Sequence, residues 1–172
     1  MQPEPWLRGP LDGVDPYLMP AAHALTHALE DLGRAVANVP ADALWTRPGG
    51  AASVGFHLRH IAGSIDRLLA YARGEALSEE QRTAAKAEEE PGAPDEAPRL
   101  LADAQHAIAA ALAQIRSTPR KTLLDPRGVG RAQLPSTVLG LLFHVAEHTQ
   151  RHTGQLIEIG RASCRERVFR VV

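Results

Sequence analysis

Cysteine is nearly absent from this chain. Its one example, Cys164, cannot close an internal disulfide, which fits a reducing cytoplasm. Aromatic residues make up only 4% and β-branched runs are missing, so the usual material of a sheet is lacking. No apolar run approaches the ~18 residues that a membrane span needs. Residues 1–7 show no basic stretch followed by an apolar one, so no secretory leader is expected. Nor is there an excess of one charge. Lys+Arg 19 against Asp+Glu 20 leaves no basic footprint for nucleic acid, and none for a DNA-repair role. What remains is abundant alanine and leucine in 172 residues, the composition of a single all-α domain with a real core.

Apolar residues recur at three- and four-residue spacing in four stretches, each read as a core-facing helix. The first covers residues 21–38, with Leu25, Leu29, Leu32 and Val36 as its stripe, and Pro40 ends it. The second covers residues 53–72, with Val54, Leu58, Ile61, Ile65, Leu68 and Ala72; Ser53 is its N-cap and Gly74 its stop. The third covers residues 100–117, with Leu101, Ala104, Ile108, Ala111, Leu112 and Ile115. The fourth starts after Ser136, its expected N-cap, and runs to residue 157 on Val138, Leu141, Leu142, Val145 and Leu156. The expectation is a four-helix bundle with a long connection between the second and third helices. That connection, residues 75–99, is charged and holds Pro91, Pro94 and Pro98. At ~25 residues it is long for a bundle and can cross the length of a helix, with room for a short helix within 78–89. Its run Glu88, Glu89, Glu90 reads as solvated. Residues 1–20 read as an irregular arm, with Trp6, Leu11, Tyr17 and Leu18 available to pack. Trp45 caps the end of the bundle or lines a pocket mouth. Residues 118–134 read as a turn-rich connection.

The domain is expected to span residues 1–158. Residues 159–172 break the apolar period and end in a basic run. They also match the conceptual translation of a common sequencing-adapter oligonucleotide. They are therefore expected to be a non-native tail, and Cys164 within them is assigned no function.

Histidine is where chemistry concentrates. His144, His148 and His152 follow one another at i, i+4 steps, so their rings stack along one side of the fourth helix. Two imidazoles placed this way can share one metal ion. A buried imidazole without a metal needs some other polar partner. The second helix adds His57 and His60. Periodicity places His57 nearer the stripe centre and His60 on the flank. Either one, facing His148 and His152, completes a three-histidine set, the usual protein share of an open catalytic metal site. His144 and Gln155 lie on the metal side of the fourth helix as second-shell or substrate candidates. His23 and His27 also stand at i, i+4, but His27 is off the leucine stripe and the pair reads as a rim face. His106, Glu147 and Arg151 read as surface residues, and Asp66 as a salt-bridge partner of Arg67 or Arg73. No nucleophile is evident, and no catalytic residue is assigned.

Three segments together resemble a known family: Trp45-Thr-Arg-Pro, Ser53-Val-Gly-Phe-His-Leu-Arg-His60-Ile-Ala, and His148-Thr-Gln-Arg-His152-Thr-Gly-Gln155. The chain resembles the DinB-like superfamily over residues 20–157. That resemblance implies a metal-dependent four-helix bundle, often dimeric, with a divalent metal held by His60, His148 and His152. His57 is the alternate ligand. Many members carry Arg where this chain has Thr153. Zinc, nickel, manganese or iron all suit three imidazoles, and geometry chooses among them. The implied activity is transfer or addition of a low-molecular-weight thiol, or hydrolysis of a small substrate. The alternative is a non-catalytic bundle that binds a ligand or partner around a structural metal or none. The expected partners are a small-molecule substrate and a second copy of the chain, with no nucleic acid and no membrane.

Overall fold

The computed structural model describes residues 2–170, with side chains through Ser163; Cys164 lies outside the described side chains. It is mostly helical. In chain order come α1 (Met19–Val36), α2 (Val54–Arg73), α3 (Glu79–Lys86), α4 (Ala97–Ser117), a hairpin of β1 (Pro126–Val129) and β2 (Leu134–Thr137), and α5 (Val138–Arg170). α1 and α2 each pack on both α4 and α5, so four long helices share one core. Among the described residues, no helix is long and apolar enough to cross a membrane.

The apolar stripes decide which faces turn inward. Leu25 and Leu32 of α1, Leu58, Ile61 and Ile65 of α2, Ile108 and Ile115 of α4, and Leu142, Val145 and Leu156 of α5 all lie in one buried cluster. Leu69 and Leu100 are buried where the periodicity chose Leu68 and Leu101, which are only partly covered. Each swap is one position, about 100° of helix turn. The α1–α5 seam also carries a polar tie, from Gln150 Nε2 to Ala24 O at 2.6 Å.

The helix ends follow capping chemistry. Ser53 accepts from Phe56 N at the start of α2, and Gly74 ends it in the left-handed conformation at φ 82°. Ser78 and Gln81 form a capping box on α3. Pro20 sits in the first turn of α1, where its missing N–H costs nothing. At α5 the cap is not Ser136 but Thr137, whose Oγ1 accepts from Gly140 N at 3.0 Å. Ser136 instead pairs with Arg127 in the hairpin.

The all-α expectation broadly holds, with one small two-stranded hairpin added to it. Residues 118–134 read as loop because glycine and proline punctuate them, yet β1 and β2 pair antiparallel from Pro126↔Thr137 to Val129↔Leu134. Two strands alone are marginal. Here Arg127 Nε donates to Ala72 O at 2.9 Å, tying the hairpin to the end of α2. In the arm, Leu11, Val14 and Leu18 join the core, whereas Trp6 and Tyr17 stay exposed. α5 runs on beyond residue 157: Ile159 packs against the core and Ser163 Oγ lies 3.1 Å from Thr46 Oγ1.

Neighbouring α5 positions test this core. Leu142 is fully buried and Phe143 is 57% exposed. Urea unfolding should show Leu142→Ala losing roughly 2–5 kcal/mol, and Phe143→Ala staying within about 0.5 kcal/mol of the parent. Equal losses would contradict the helix orientation.

Candidate metal centre

α2 and α5 pack side by side, and each turns histidines into their seam. His148 and His152 stand one turn apart on α5, and His60 comes from the flank of α2. One ring nitrogen from each lies within 4.8 Å of the others. His60 Nε2 and His148 Nε2 are 2.9 Å apart, and the rings of His60 and His148 each sit 4.4 Å from that of His152. Phe56, one turn before His60, stacks on its ring at 5.2 Å and 11° and limits its rotation.

His57 is also in the seam but plays another part. It is only 3% exposed and its Nδ1 meets His152 Nδ1 at 3.1 Å. With Nδ1 of His152 engaged, Nε2 is the nitrogen left free. The group of three contains His60, the ligand that the resemblance implies, and not His57, which periodicity places nearer the stripe centre. His60, on the flank of α2, lies at the more open side of the seam, and His57, nearer the stripe centre, lies deeper in it.

The second partner of His60 was not legible in the pattern. Its Nδ1–H donates to Glu88 Oε2 at 2.7 Å, and Arg67 Nη1 donates to Glu88 Oε1 at 2.6 Å. Glu88 belongs to the acidic run read as solvated, yet it is 7% exposed. Burial pushes its carboxyl up, but the bonds from His60 and Arg67 outweigh that and hold it below the usual carboxylate range. One signal was available. Gly63 interrupts α2, where glycine costs roughly 0.5–1 kcal/mol against alanine, and a helical glycine often marks a close approach. A Cβ there would lie 2.5 Å from Glu88 Oε1.

The other candidates spread out. His144 is half exposed and lies 3.2 Å from Glu147, which also pairs with Arg151. Gln155 is exposed. Thr153 is buried and donates back to Thr149 O at 2.8 Å. Asp66 accepts from Gln81 Nε2 rather than from an arginine. His27 lies beside Asp31 and His23 beside Gly9 O, far from any such convergence.

The donor set fits a divalent cation. With His60 Nδ1–H given to Glu88, a neutral His60 presents a lone pair at Nε2, facing His148 Nε2. Two such nitrogens at 2.9 Å need a proton or a cation between them. Ligands that share one ion through bonds of 2.0–2.1 Å stand about 3.3 Å apart in a tetrahedral site, close to the 2.9 Å between His60 Nε2 and His148 Nε2. His148 Nδ1 is buried without a hydrogen-bond partner, so the seam's polar atoms are not all satisfied by protein. Burial, with repulsion from His60, pushes His57 and His148 down to about 4 and His152 to about 3. Neutral imidazoles are the form a metal takes.

These shifts have a cost in acid. The unfolded chain protonates those rings near 6.5, and the folded metal-free protein does not. Unfolding then takes up protons, so stability is intact above about pH 6.5 and falls as pH drops toward 4. Thermal melts of the metal-free protein between pH 7.5 and pH 4.5 should show this decline, and it should shrink in His57→Gln. A flat profile would refute the buried neutral rings.

No curated protein matches the chain. The family model of the DinB superfamily matches residues 21–156, from the first turn of α1 past His152 on α5 and over most of the chain. This protein belongs to the DinB superfamily.

Proposed function

We propose that the chain is a metal-dependent enzyme built on a four-helix bundle, with His60, His148 and His152 as the metal ligands. The observation that carries this reading is the convergence of those three imidazoles in one half-buried seam. When bound, a divalent ion supplies a Lewis acid that lowers the pKa of a coordinated water or thiol and polarises a carbonyl. The chain's own residues prepare that site. Glu88 and Arg67 fix the tautomer and tilt of His60. His57 engages Nδ1 of His152 and leaves Nε2 as that ring's remaining nitrogen. Phe56 keeps water from one face of His60. Three protein ligands leave further positions for water or substrate.

The reaction class proposed is transfer or addition of a low-molecular-weight thiol, with hydrolysis of a small substrate as the second possibility. No protein nucleophile stands beside the three histidines among the described residues, which favours chemistry in which the attacking group is brought by the substrate or by water. A homodimer in the cytoplasm remains part of the proposal. A non-catalytic bundle around a structural metal would ordinarily use a fourth ligand. His144 faces Glu147 instead, and His57 is committed to His152.

Metal content measured by mass spectrometry on untagged protein tests this reading. About one divalent ion per chain is expected, the stoichiometry of a mononuclear site. It should disappear in His60→Ala and in the double variant His148→Ala/His152→Ala, and persist in His57→Ala. Thiol-transfer and hydrolase assays on the loaded protein then separate the two reactions. No metal after reconstitution with zinc, nickel, manganese and iron would sink the metalloenzyme reading.

A further inference from the structure

The connection between α3 and α4 behaves as a wall of the site rather than as a linker. Glu88 reaches from it into the seam and divides its two oxygens between His60 and Arg67. Further along, Arg59 Nη1 donates to Glu90 O at 2.5 Å and its Nη2 to Glu96 Oε2 at 3.0 Å. Trp45 Nε1 donates to Ala93 O at 3.0 Å, and the Arg59 guanidinium lies 4.5 Å over the Trp45 ring. The segment thus lies on α2 at several points, and Glu88 is the one that touches a histidine of the three. Gly63 leaves room for this approach: a Cβ on it would stand 2.5 Å from Glu88 Oε1 and 2.8 Å from Arg67 Nη1, so those side-chain ends would have to shift.

Resting on the metal-centre reading, we infer that Glu88 is a positioning residue for His60, and that cation binding and docking of the connection form one coupled equilibrium. A cation on Nε2 draws electron density from the ring and makes Nδ1–H a stronger donor. The carboxylate of Glu88 is where that donor points, so a bound cation tightens the hold on residues 87–96. Linkage is reciprocal: the docked carboxylate raises the affinity for the cation by the same factor. Outer partners of ligating histidines change metal affinity by roughly 10–100-fold.

Zinc titration against a chromophoric chelator, with hydrogen exchange of residues 87–96 read in the same samples, tests the coupling. Glu88→Gln removes the charge and keeps the shape. Gly63→Ala leaves Glu88 and His60 chemically intact and crowds the carboxylate away, on a helix that alanine favours. Gly154→Ala on α5, where an added Cβ meets nothing within 4 Å, is the control. Both variants should bind zinc about 10–100-fold more weakly, and their cobalt(II) spectra should change. Zinc should slow exchange of residues 87–96 in the parent and in Gly154→Ala only. Where Glu88→Gln fails to fold, Gly63→Ala decides alone. Parent-like affinity in the folded variants, or zinc binding in the parent without protection of the connection, would overturn the coupling. Absence of zinc binding in the parent would overturn the metal-centre reading itself, and the coupling with it.

Discussion

The seam between α2 and α5 has to hold polar rings where two apolar stripes meet, and much of the structure answers to that constraint. Four imidazoles gather there: those of His60, His148 and His152 are in mutual ring contact, and that of His57 meets His152. Packed so closely, they cannot all carry charge, and burial favours the neutral form. A cluster of neutral rings must then share protons among its nitrogens or share a cation. His148 Nδ1, buried and unpartnered, shows that proton sharing leaves the accounts of this seam open.

Holding the rings in place takes more than the two helices that carry them. Thr149 and Thr153 lie in the core of α5 and return their hydroxyls to carbonyls one turn back, so they bring no unsatisfied polar group beside the histidines. Trp45 lies so close over Gly55 that a Cβ there would stand 2.5 Å from its ring. That contact seats the 41–50 connection on the first turn of α2, next to Phe56 and His57. Glu88 with Arg67 does the equivalent from the other connection. Both connections therefore press on the turn of α2 that carries the site, and a glycine marks each close approach.

Sequence reasoning saw the helices because burial is periodic along them, and it saw the histidine ladder of α5 because i, i+4 spacing is a local property. The caps at Ser53 and Gly74 were legible for the same reason. The hairpin was not. Its strands are four residues each and contain Pro126, Gly128 and Pro135, which locally signal turns; pairing with each other and with the end of α2 overrides that signal. Periodicity alone did not settle the choice between His57 and His60; the family resemblance named His60. The choice depends on the direction in which α2 faces α5, and a stripe specifies a buried arc without naming the neighbour on each flank.

The amino-acid order by itself determined four amphipathic helices, both caps of α2, and three histidines in line on α5. Those features rest on interactions within a few turns of one chain segment. The family resemblance named His60 beside His148 and His152, and tertiary packing brings them together; packing alone decided that His57 turns to His152 Nδ1 and that Glu88 leaves solvent to bind His60. Residues 88 and 60 are 28 apart and on different elements. Their meeting depends on where a proline-bearing connection folds back onto α2, an outcome of many contacts that no local pattern encodes.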